Sequence, residues 1–249
     1  MGRANRPALA RPNVSADAPA GRPRRTPAAL LWEGVALQRD PVRRVLSRAR
    51  RARVELAPAD AERLAAYLVF LSDWNRKINL TGLGDPVEAV DRLLIEPLAA
   101  ARYLPASARR LLDVGSGAGS PAIPLKLVRP QLSMHLVEAK VRKSAFLREV
   151  CRRFSLGDVQ VESCRFEELL TRPDLHEAMD VVTVRAVRIE AAALRSLQAF
   201  LKPGGRLLLF RAQGASPLAH IPQPLSFEAE HPLLENLRSG LTVLRKTRS

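Results

Sequence analysis

The sequence predicts an α/β protein in which helices cover both faces of a mostly parallel β-sheet, preceded by an N-terminal helical addition. Two observations support this fold class. Residues 54–108 carry apolar positions at helical spacing, and residues 109–249 alternate short apolar runs with longer helical patterns. Such alternation is typical of a parallel sheet packed between two layers of helices.

The N-terminal segment concentrates positive charge. Residues 1–53 hold 13 arginines against three acidic residues, whereas the rest of the chain holds 27 basic and 22 acidic residues. With few large apolar side chains to bury, this segment is expected to be a disordered tail, and order is expected to begin near Val54. A cationic tail attracts polyanions, and RNA is the obvious one. A targeting peptide and a start assigned too far upstream are open alternatives.

Composition argues against several classes of protein. Of the 249 residues, 47% are hydrophobic and 26% charged, and the longest apolar run is the one from Leu64 to Leu71. That run is too short to span a membrane, and the N-terminus lacks the apolar stretch of a secretory signal. Cys151 and Cys164 show no ligand-like spacing with the four histidines, so neither a metal site nor a disulfide framework is expected. A cytoplasmic protein without membrane contact is therefore predicted.

The helical addition contains two predicted helices. Apolar residues recur every three or four positions from Pro58, where Asp60 is placed to begin a helix that ends within residues 79–82. A second helix is predicted from Pro86 to about Tyr103. In the sheet region, the predicted strands are 111–114, 133–138, 159–161, 180–184 and 206–210, and the predicted helices are 121–128, 140–154 and 190–200. Residues 225–230 and 241–245 are candidates for a closing hairpin.

A glycine-rich turn follows the first predicted strand. Asp113 lies one residue before the end of that strand, and Gly115, Gly117 and Gly119 then allow a tight turn and a close approach of backbone N–H groups to a ligand. A dinucleotide fingerprint would need glycine at position 120, where the chain has serine. Glu138 ends the second strand, where a carboxylate can accept hydrogen bonds from both hydroxyls of a ribose. This combination favours S-adenosylmethionine over NAD as the cofactor.

Four segments carry a resemblance to a known family. These are WNRKINLT at 74–81, DVGSGAGSPAIPL at 113–125, FLREV at 146–150 and the pair Arg185-Ala186. They closely resemble the RsmG (GidB) family, bacterial enzymes that methylate N7 of a guanine in 16S (small-subunit) ribosomal RNA. The resemblance covers about residues 58–212. It implies a class I, Rossmann-like, S-adenosylmethionine-dependent methyltransferase that acts, as a monomer, on 16S ribosomal RNA or the small ribosomal subunit.

The resemblance also implies roles for individual residues. The family's cofactor contacts fall on Gly115 and Ser120 in the glycine turn, on Glu138, on Phe166 and Glu167 beside the adenine, and on Arg185. Asn79 and Arg185 are the candidate catalytic residues. The chain departs from the family pattern at Leu93, where the family has histidine, and at Arg211, where it has lysine.

The chemistry of the reaction is consistent with the motifs that the sequence lacks. Guanine N7 exposes a lone pair at neutral pH, so its methylation requires no general base, and positioning alone can supply roughly 7–11 kcal/mol. The chain has no Asn/Asp-Pro-Pro-Tyr/Phe motif, and neither Cys151 nor Cys164 follows a proline as a base-attacking cysteine usually does. A class I methyltransferase for another RNA, a protein or a small molecule is the alternative, and a non-catalytic RNA-binding protein is a second one.

Several candidate residues also have ordinary structural explanations. Arg185 can form an ion pair with Asp180 or Glu190, and Asn79 and Thr81 can cap a helix end. Trp74 lies on an apolar stripe and is expected in the core. The cations Lys140, Arg142 and Lys143 begin a helix, at the end that the helix dipole disfavours for positive charge, and this favours contact with phosphate over helix stabilisation. A solvated face is the alternative.

Overall fold

Strands of one sheet form the centre of the protein. The computed structural model describes residues 1–2, 40–83, 85–185, 190–218 and 220–247. The strands in these residues are β1 (Arg110–Val114), β2 (Ser133–Val137), β3 (Val159–Glu162), β4 (Met179–Arg185), β5 (Leu201–Ala212), β6 (Leu225–Pro232) and β7 (Ser239–Lys246). They form a seven-stranded sheet in the order β3-β2-β1-β4-β5-β7-β6.

Helices connect the strands and precede them. The α-helices are α1 (Pro41–Arg51), α2 (Pro58–Asn75), α3 (Pro86–Val90), α4 (Glu96–Ala100), α5 (Ala122–Val128), α6 (Val141–Arg153) and α7 (Ala191–Leu197). A π-helical turn, Asp91–Ile95, joins α3 to α4. Short 3-10 turns occupy Ala101–Tyr103, Phe166–Thr171, Pro173–Leu175, Gln198–Phe200 and Glu235–Leu237. None of the helices in the described ranges combines the length and apolar character needed to cross a bilayer.

The sheet places a crevice at one edge. Strands β1 to β5 run parallel, whereas β7 pairs antiparallel with β5 and with β6. The hairpin expected near residues 225–245 is therefore confirmed. Because β1 pairs with β2 on one side and with β4 on the other, the strand order reverses between β1 and β4. Ligands of open α/β sheets bind at such a reversal, beyond the carboxyl ends of the strands.

Both faces of the sheet are covered. Leu111 and Val181 point to a core that includes α2, α5 and α6, whereas their neighbours Leu112 and Val182 point to a second core that includes α7. All four side chains are fully buried. Successive side chains of a strand point to opposite faces, so near-continuous apolar runs such as that of β1 are typical of a sheet packed on both sides. The predicted fold class is confirmed.

The start of the ordered region was predicted too late. Helix α1 covers Pro41–Arg51, its first turn is capped by the Asp40 side chain, and Val45 and Ala49 are buried. Its Arg48 pairs with the buried carboxylate of Asp91 in the π-helical turn. An arginine-rich stretch is therefore ordered by a narrow apolar stripe and by a partner 43 residues away. The predicted disorder of residues 3–39 concerns positions outside the described residues.

The two helices of the addition also differ from their predicted forms. Helix α2 ends at Asn75, earlier than expected, because the Asn75 Oδ1 accepts hydrogen bonds from the N–H groups of Leu80 and Thr81 and turns the chain. Asp60 lies in its first turn, whereas the capping position is Ala57, which provides no side-chain cap. The second predicted helix is interrupted by the π-helical turn.

Candidate active site

The glycine turn between β1 and α5 is shaped by its own backbone. Gly115, Gly117 and Gly119 have φ angles of 73°, 53° and 88°, in the left-handed region that favours glycine. A Cβ atom on Gly119 would lie 2.6 Å from Ile123 and 2.9 Å from the Tyr67 hydroxyl. At Gly117, by contrast, the nearest atom would be 3.6 Å away. Gly119 is thus required by packing as well as by its backbone angle, whereas Gly117 is required by its backbone angle.

A cavity of about 500 Å³ opens beside this turn, at the carboxyl end of β1. Its walls come from the sheet domain and from the helical addition. The predicted cofactor residues that line it are Gly115, Gly117, Ser120, Glu138 and Arg185. The other lining residues are Leu80, Thr81, Leu83, Arg92, Leu93, Ser116, Ala118, Lys140 and Lys143.

The carboxylate of Glu138 is held by two backbone donors. Its Oε2 accepts from Gly117 N–H at 2.9 Å, and its Oε1 accepts from Lys140 N–H at 2.8 Å. The side chain is buried, with 8% of its surface exposed, in the wall of the cavity. Each carboxylate oxygen can accept more than one hydrogen bond. Glu138 is therefore oriented by the protein and keeps acceptor capacity for the two hydroxyls of a ribose.

Asp113 lies beneath the glycine turn. Its Oδ1 accepts from the Thr183 hydroxyl at 2.6 Å, whereas its Oδ2 is buried and has no hydrogen-bond partner among the described residues. Burial raises the pKa of this carboxyl to about 6, although Thr183, Ser116 and Arg185 favour its charged form. An under-satisfied buried carboxylate costs free energy, and such groups cluster at functional sites.

Arg185 ends β4 on the opposite side of the cavity. Its Nη1 donates to the Arg92 carbonyl and to Ser120 Oγ, both at 2.6 Å, and its Nη2 pairs with the buried carboxylate of Glu96. Burial lowers the pKa of the guanidinium, and Glu96 opposes that shift. The alternative ion pair with Asp180 is not formed, because Asp180 binds Lys202 and two backbone N–H groups instead.

The carbonyl of Arg92 is free to receive Arg185 because of the π-helical turn. In an α-helix this carbonyl would accept from Glu96 N–H, but here Glu96 N–H donates to Asp91 O. In a π-helix this carbonyl would accept instead from the N–H of residue 97, but residue 97 is a proline and has no N–H. The carbonyl thus lacks a donor from its own helix, and the buried guanidinium supplies one. Such single-turn π segments frequently occur at functional sites.

Five of the candidate residues do not line the cavity: Asp113 and Gly119, which lie in or beneath the glycine turn, and Phe166, Glu167 and Asn79. Phe166 and Glu167 begin the 3-10 turn after β3, where Phe166 is half-buried against the second core and Glu167 is exposed. Asn79 is exposed and directly precedes Leu80 and Thr81, which do line the cavity. The capping role considered for Asn79 belongs to Asn75.

The other residues singled out from the sequence are also placed. Trp74 packs against Phe146 and Phe70 beside the first core, which confirms its expected position. Lys140 and Lys143 line the cavity, and the Lys143 ammonium donates to the Leu80 carbonyl at 3.1 Å, whereas Arg142 is exposed and does not line it.

The sequence analysis missed two residues that hold the site. Glu96 is buried and pairs with Arg185, and Tyr67 is buried with its hydroxyl donating to the Ala118 carbonyl of the glycine turn. Both lie in the helical addition, far from the motif in sequence. A glutamate within an apolar helical run was a usable signal for Glu96, because carboxylates are rarely buried without a partner. Tyr67 gave no such signal, since its spacing is that of a core residue.

Metal and thiol chemistry receive no support from the described part of the chain. It contains no group of three or more histidine, cysteine or acidic side chains that could hold a metal ion. Cys151 and Cys164 are free thiols, and burial raises the pKa of Cys151 to about 11. A thiol with a raised pKa is a poor nucleophile at neutral pH.

Comparison with known proteins gives the family of the chain. Residues 60–223 match the model of the GidB family, described as rRNA small subunit methyltransferase G. Proteins named ribosomal RNA small subunit methyltransferase G are 38% identical over 198 residues in Xanthomonas euvesicatoria and 39% identical over 194 residues in Xylella fastidiosa. These matches cover 77% and 74% of this chain, and 89% and 85% of the relatives.

Solved structures agree on the fold. A S-adenosylmethionine-dependent methyltransferase from Aquifex aeolicus has a TM-score of 0.51 at 15% identity, covering 67% of this chain and 96% of that one. A putative methyltransferase from Escherichia coli has a TM-score of 0.51 at 14% identity, covering 62% and 87%. The structural matches show only the fold, whereas the sequence matches show the family. The chain belongs to the GidB family, the rRNA small subunit methyltransferase G family.

Proposed function

We propose that this methyltransferase transfers the methyl group of S-adenosylmethionine to N7 of a guanine in 16S ribosomal RNA. The observation that carries the proposal is one cavity lined by the glycine turn, Glu138 and Arg185. The first two are groups that hold a nucleoside, and the third is a buried cation suited to a polar substrate. The names of the relatives indicate the RNA.

The residues of the cavity fit this cofactor. Glu138 presents oriented acceptors for a ribose, and the turn at Gly115 and Gly117 leaves room for a ligand against the backbone. The partnerless Oδ2 of Asp113 lies beneath the same turn. When bound, the sulfonium of S-adenosylmethionine supplies an electrophilic methyl group.

Methylation at N7 matches the groups that surround the cavity. Guanine N7 carries no proton, so no side chain has to remove one, and the site has to hold the base in line with the methyl group. The transfer moves one positive charge from sulfur to the base. Because Glu96 neutralises Arg185, the pair adds little net charge next to that developing cation.

Arg185 is the group best placed to orient the base. A guanidinium carries five N–H groups, and the contacts with Arg92, Ser120 and Glu96 use three of them. The remaining donors can reach guanine O6, a phosphate or the carboxylate of the cofactor. The common bidentate pairing of arginine to O6 and N7 is excluded, since it would occupy the lone pair that attacks.

We further propose that the protein acts as a cytoplasmic monomer on ribosomal RNA or on the small subunit. The names of the relatives support the ribosomal RNA target.

The test combines a product assay with a binding assay. The purified protein is incubated with S-adenosylmethionine and small-subunit RNA from cells lacking the enzyme, and the digested RNA is analysed by nucleoside mass spectrometry. We expect 7-methylguanosine. Another methylated nucleoside would overturn the N7 assignment, and cofactor binding without any methylated product would favour a non-catalytic RNA-binding protein.

The cofactor site is tested separately by calorimetry. Glu138→Ala should weaken binding of S-adenosylmethionine by at least about tenfold, because it removes two hydrogen bonds to a charged carboxylate. Each such bond contributes roughly 1.5–3 kcal/mol. Glu62→Ala is a matched control, since its exposed carboxylate does not line the cavity. Equal affinity of wild type and Glu138→Ala would refute the ribose assignment.

A further inference from the structure

Helix α1 presents arginines beside two cavities on the surface of the protein. One, of about 310 Å³, is lined by Asp40, Arg43, Arg44, Ser47, Arg48, Arg51 and Val87. The other, of about 390 Å³, lies between the end of α1 and the connection from β6 to β7. Arg44, Arg48 and Arg51 are three and four residues apart, so they share one face of the helix. We call Arg44 and Arg51, with Arg238 of the β6–β7 connection, the arginine face.

Little negative charge is available to these arginines. Five arginines line the two cavities against three carboxylates, those of Asp40, Asp91 and Glu235. Asp40 caps α1, and Asp91 is buried beneath Arg48 and Asn236. Within the described residues, no carboxylate forms an ion pair with Arg44, Arg51 or Arg238. The three guanidinium groups of the arginine face are therefore available to an anionic partner.

The arginine face leads to the active-site cavity. Asp91 and Asn236 line both the cavity at the end of α1 and a third one, of about 420 Å³, which also includes Arg238 and Arg92. This third cavity adds two carboxylates, but Asp85 caps α3 and Glu88 pairs with Arg92, so neither is paired with Arg238. Arg92 in turn lines the active-site cavity, and its carbonyl accepts from Arg185. A continuous surface thus runs from α1 to the guanidinium that faces the substrate.

The apolar side of α1 decides between two kinds of anionic partner. A helix that binds a membrane surface needs a free apolar face to insert beside its basic one. In α1 that face is occupied, because Val45 and Ala49 are buried and Val42 and Leu46 pack against the core. Only the charged side remains available. A surface that exposes guanidinium groups but no apolar face is suited to binding phosphate oxygens, because each guanidinium can form two parallel hydrogen bonds to a phosphate.

We infer that the arginine face binds phosphates of the RNA substrate while the base to be methylated occupies the active-site cavity. The inference rests on the proposed function for the identity of the RNA. It assigns a folded surface to the RNA, beside the diffuse attraction expected of the N-terminal tail. Arg48 is excluded from this role, since it is already paired with Asp91.

The test removes the three available charges together. The full-length variant Arg44→Gln, Arg51→Gln, Arg238→Gln is compared with wild type and with the control Arg109→Gln, Arg153→Gln, Arg195→Gln. The control arginines line none of the three cavities of this surface and lose the same charge. Affinity for an unmodified 16S ribosomal RNA transcript is measured by filter binding at several salt concentrations. Vesicles containing phosphatidylserine are the second probe.

We expect the first variant to bind RNA about tenfold or more weakly at low salt, with a slope of log affinity against log salt shallower by about 2 to 3, because fewer counterions are released. The control should resemble wild type, and calorimetry should show unchanged binding of S-adenosylmethionine by both. Equal RNA affinity and slope for the two variants would overturn the inference. Loss of vesicle binding with unchanged RNA binding would overturn it in favour of a membrane.

These outcomes are separate from those of the proposed function. If the arginine face proves necessary for RNA binding but wild type forms no 7-methylguanosine, the proposed function fails and the surface assignment stands. If 7-methylguanosine forms equally well with both variants at limiting RNA, the surface assignment fails and the function stands.

Discussion

The two sides of the active-site cavity are held by different kinds of contact. The glycine turn is shaped mainly by residues within or beside it, through the backbone angles of its glycines and the contact of Gly119 with Ile123; a distant side chain, that of Tyr67, also donates to the Ala118 carbonyl. Arg185 is instead held by Ser120, Glu96 and Arg92, which lie 65, 89 and 93 residues away in sequence. A short motif thus specifies most of one side, whereas the other depends on a buried carboxylate and a backbone carbonyl supplied by a separate segment.

This difference predicts the largest effect at Arg185. Arg185→Ala leaves the Glu96 carboxylate, with 4% of its side chain exposed, buried and unpaired. Breaking a buried ion pair in this way costs about 3–5 kcal/mol. We expect a loss of stability of that size in urea unfolding, together with a loss of methyl transfer.

A double variant separates the two losses. In Arg185→Met with Glu96→Leu, both charges are replaced by apolar groups, which is often neutral for stability. Stability should return to near the wild-type value while single-turnover methylation remains abolished. If the double variant is as unstable as Arg185→Ala, the pair is not the reason for the loss; if it methylates RNA normally, Arg185 has no role in the reaction.

The second prediction concerns the side that is specified locally. Gly119→Ala places a Cβ 2.6 Å from Ile123 at a φ of 88°, so both steric overlap and the left-handed backbone oppose it. We expect a loss of about 2–4 kcal/mol in thermal or urea unfolding. Gly82→Ala is the control, because no atom lies within 4 Å of its Cβ, and its effect should stay within about 0.5 kcal/mol. Similar losses for both variants would contradict the packing argument.

The same contrast explains how much of the molecule could be predicted. Strands β1 to β5, the glycine turn and the position of Glu138 follow from apolar runs, glycines and chain order, which are properties of neighbouring residues. The ordering of α1 was not predictable in this way, since Arg48 is neutralised by Asp91 and Asn236, and Asn236 lies 145 residues from Asp91. Pro97 was visible in the sequence as a proline within a predicted helix. The sequence did not show that the resulting π-helical turn would leave the Arg92 carbonyl to bind Arg185.

The third prediction concerns the pH dependence of stability at the base of the glycine turn. The pKa of Asp113 is about 6 in the folded protein against an ordinary value of 3.8. The folded state therefore binds more protons than the unfolded state between about pH 4 and 6, so stability falls as the pH rises through that window. Above pH 6 the cost reaches about 3 kcal/mol.

Asp113→Asn removes this titration. Its unfolding free energy should lose the downward slope between pH 4 and 6 and exceed that of wild type at pH 7 by up to about 3 kcal/mol, since the buried amide is neutral. Binding of S-adenosylmethionine should weaken at the same time. Asp180→Asn is a useful comparison, because its partners lower the pKa of Asp180 and the change should destabilise the protein at neutral pH. A wild-type pH profile in Asp113→Asn would show that another group titrates.

The smallest expected effect lies at Pro97, where a local feature of the sequence controls a contact with Arg185. An alanine at this position has an N–H group, so the chain can form a regular α-helix in which Glu96 N–H donates to Arg92 O. That carbonyl would then be shared with its own helix and would hold Arg185 less firmly. We expect Pro97→Ala to keep or raise the melting temperature, because alanine is the better helix former, and to lower the methylation rate about threefold to tenfold, the equivalent of one hydrogen bond.

Pro86→Ala provides the matched control for this last change. Pro86 lies at the start of α3, where the first N–H groups of a helix lack partners in any case, so neither stability nor rate should change by more than a small amount. If Pro97→Ala also left the single-turnover rate unchanged, the Arg92 carbonyl would be dispensable, and Glu96 and Ser120 alone would be sufficient to hold Arg185. A slower rate with unchanged affinity for S-adenosylmethionine would instead show that the π-helical turn acts by positioning the arginine.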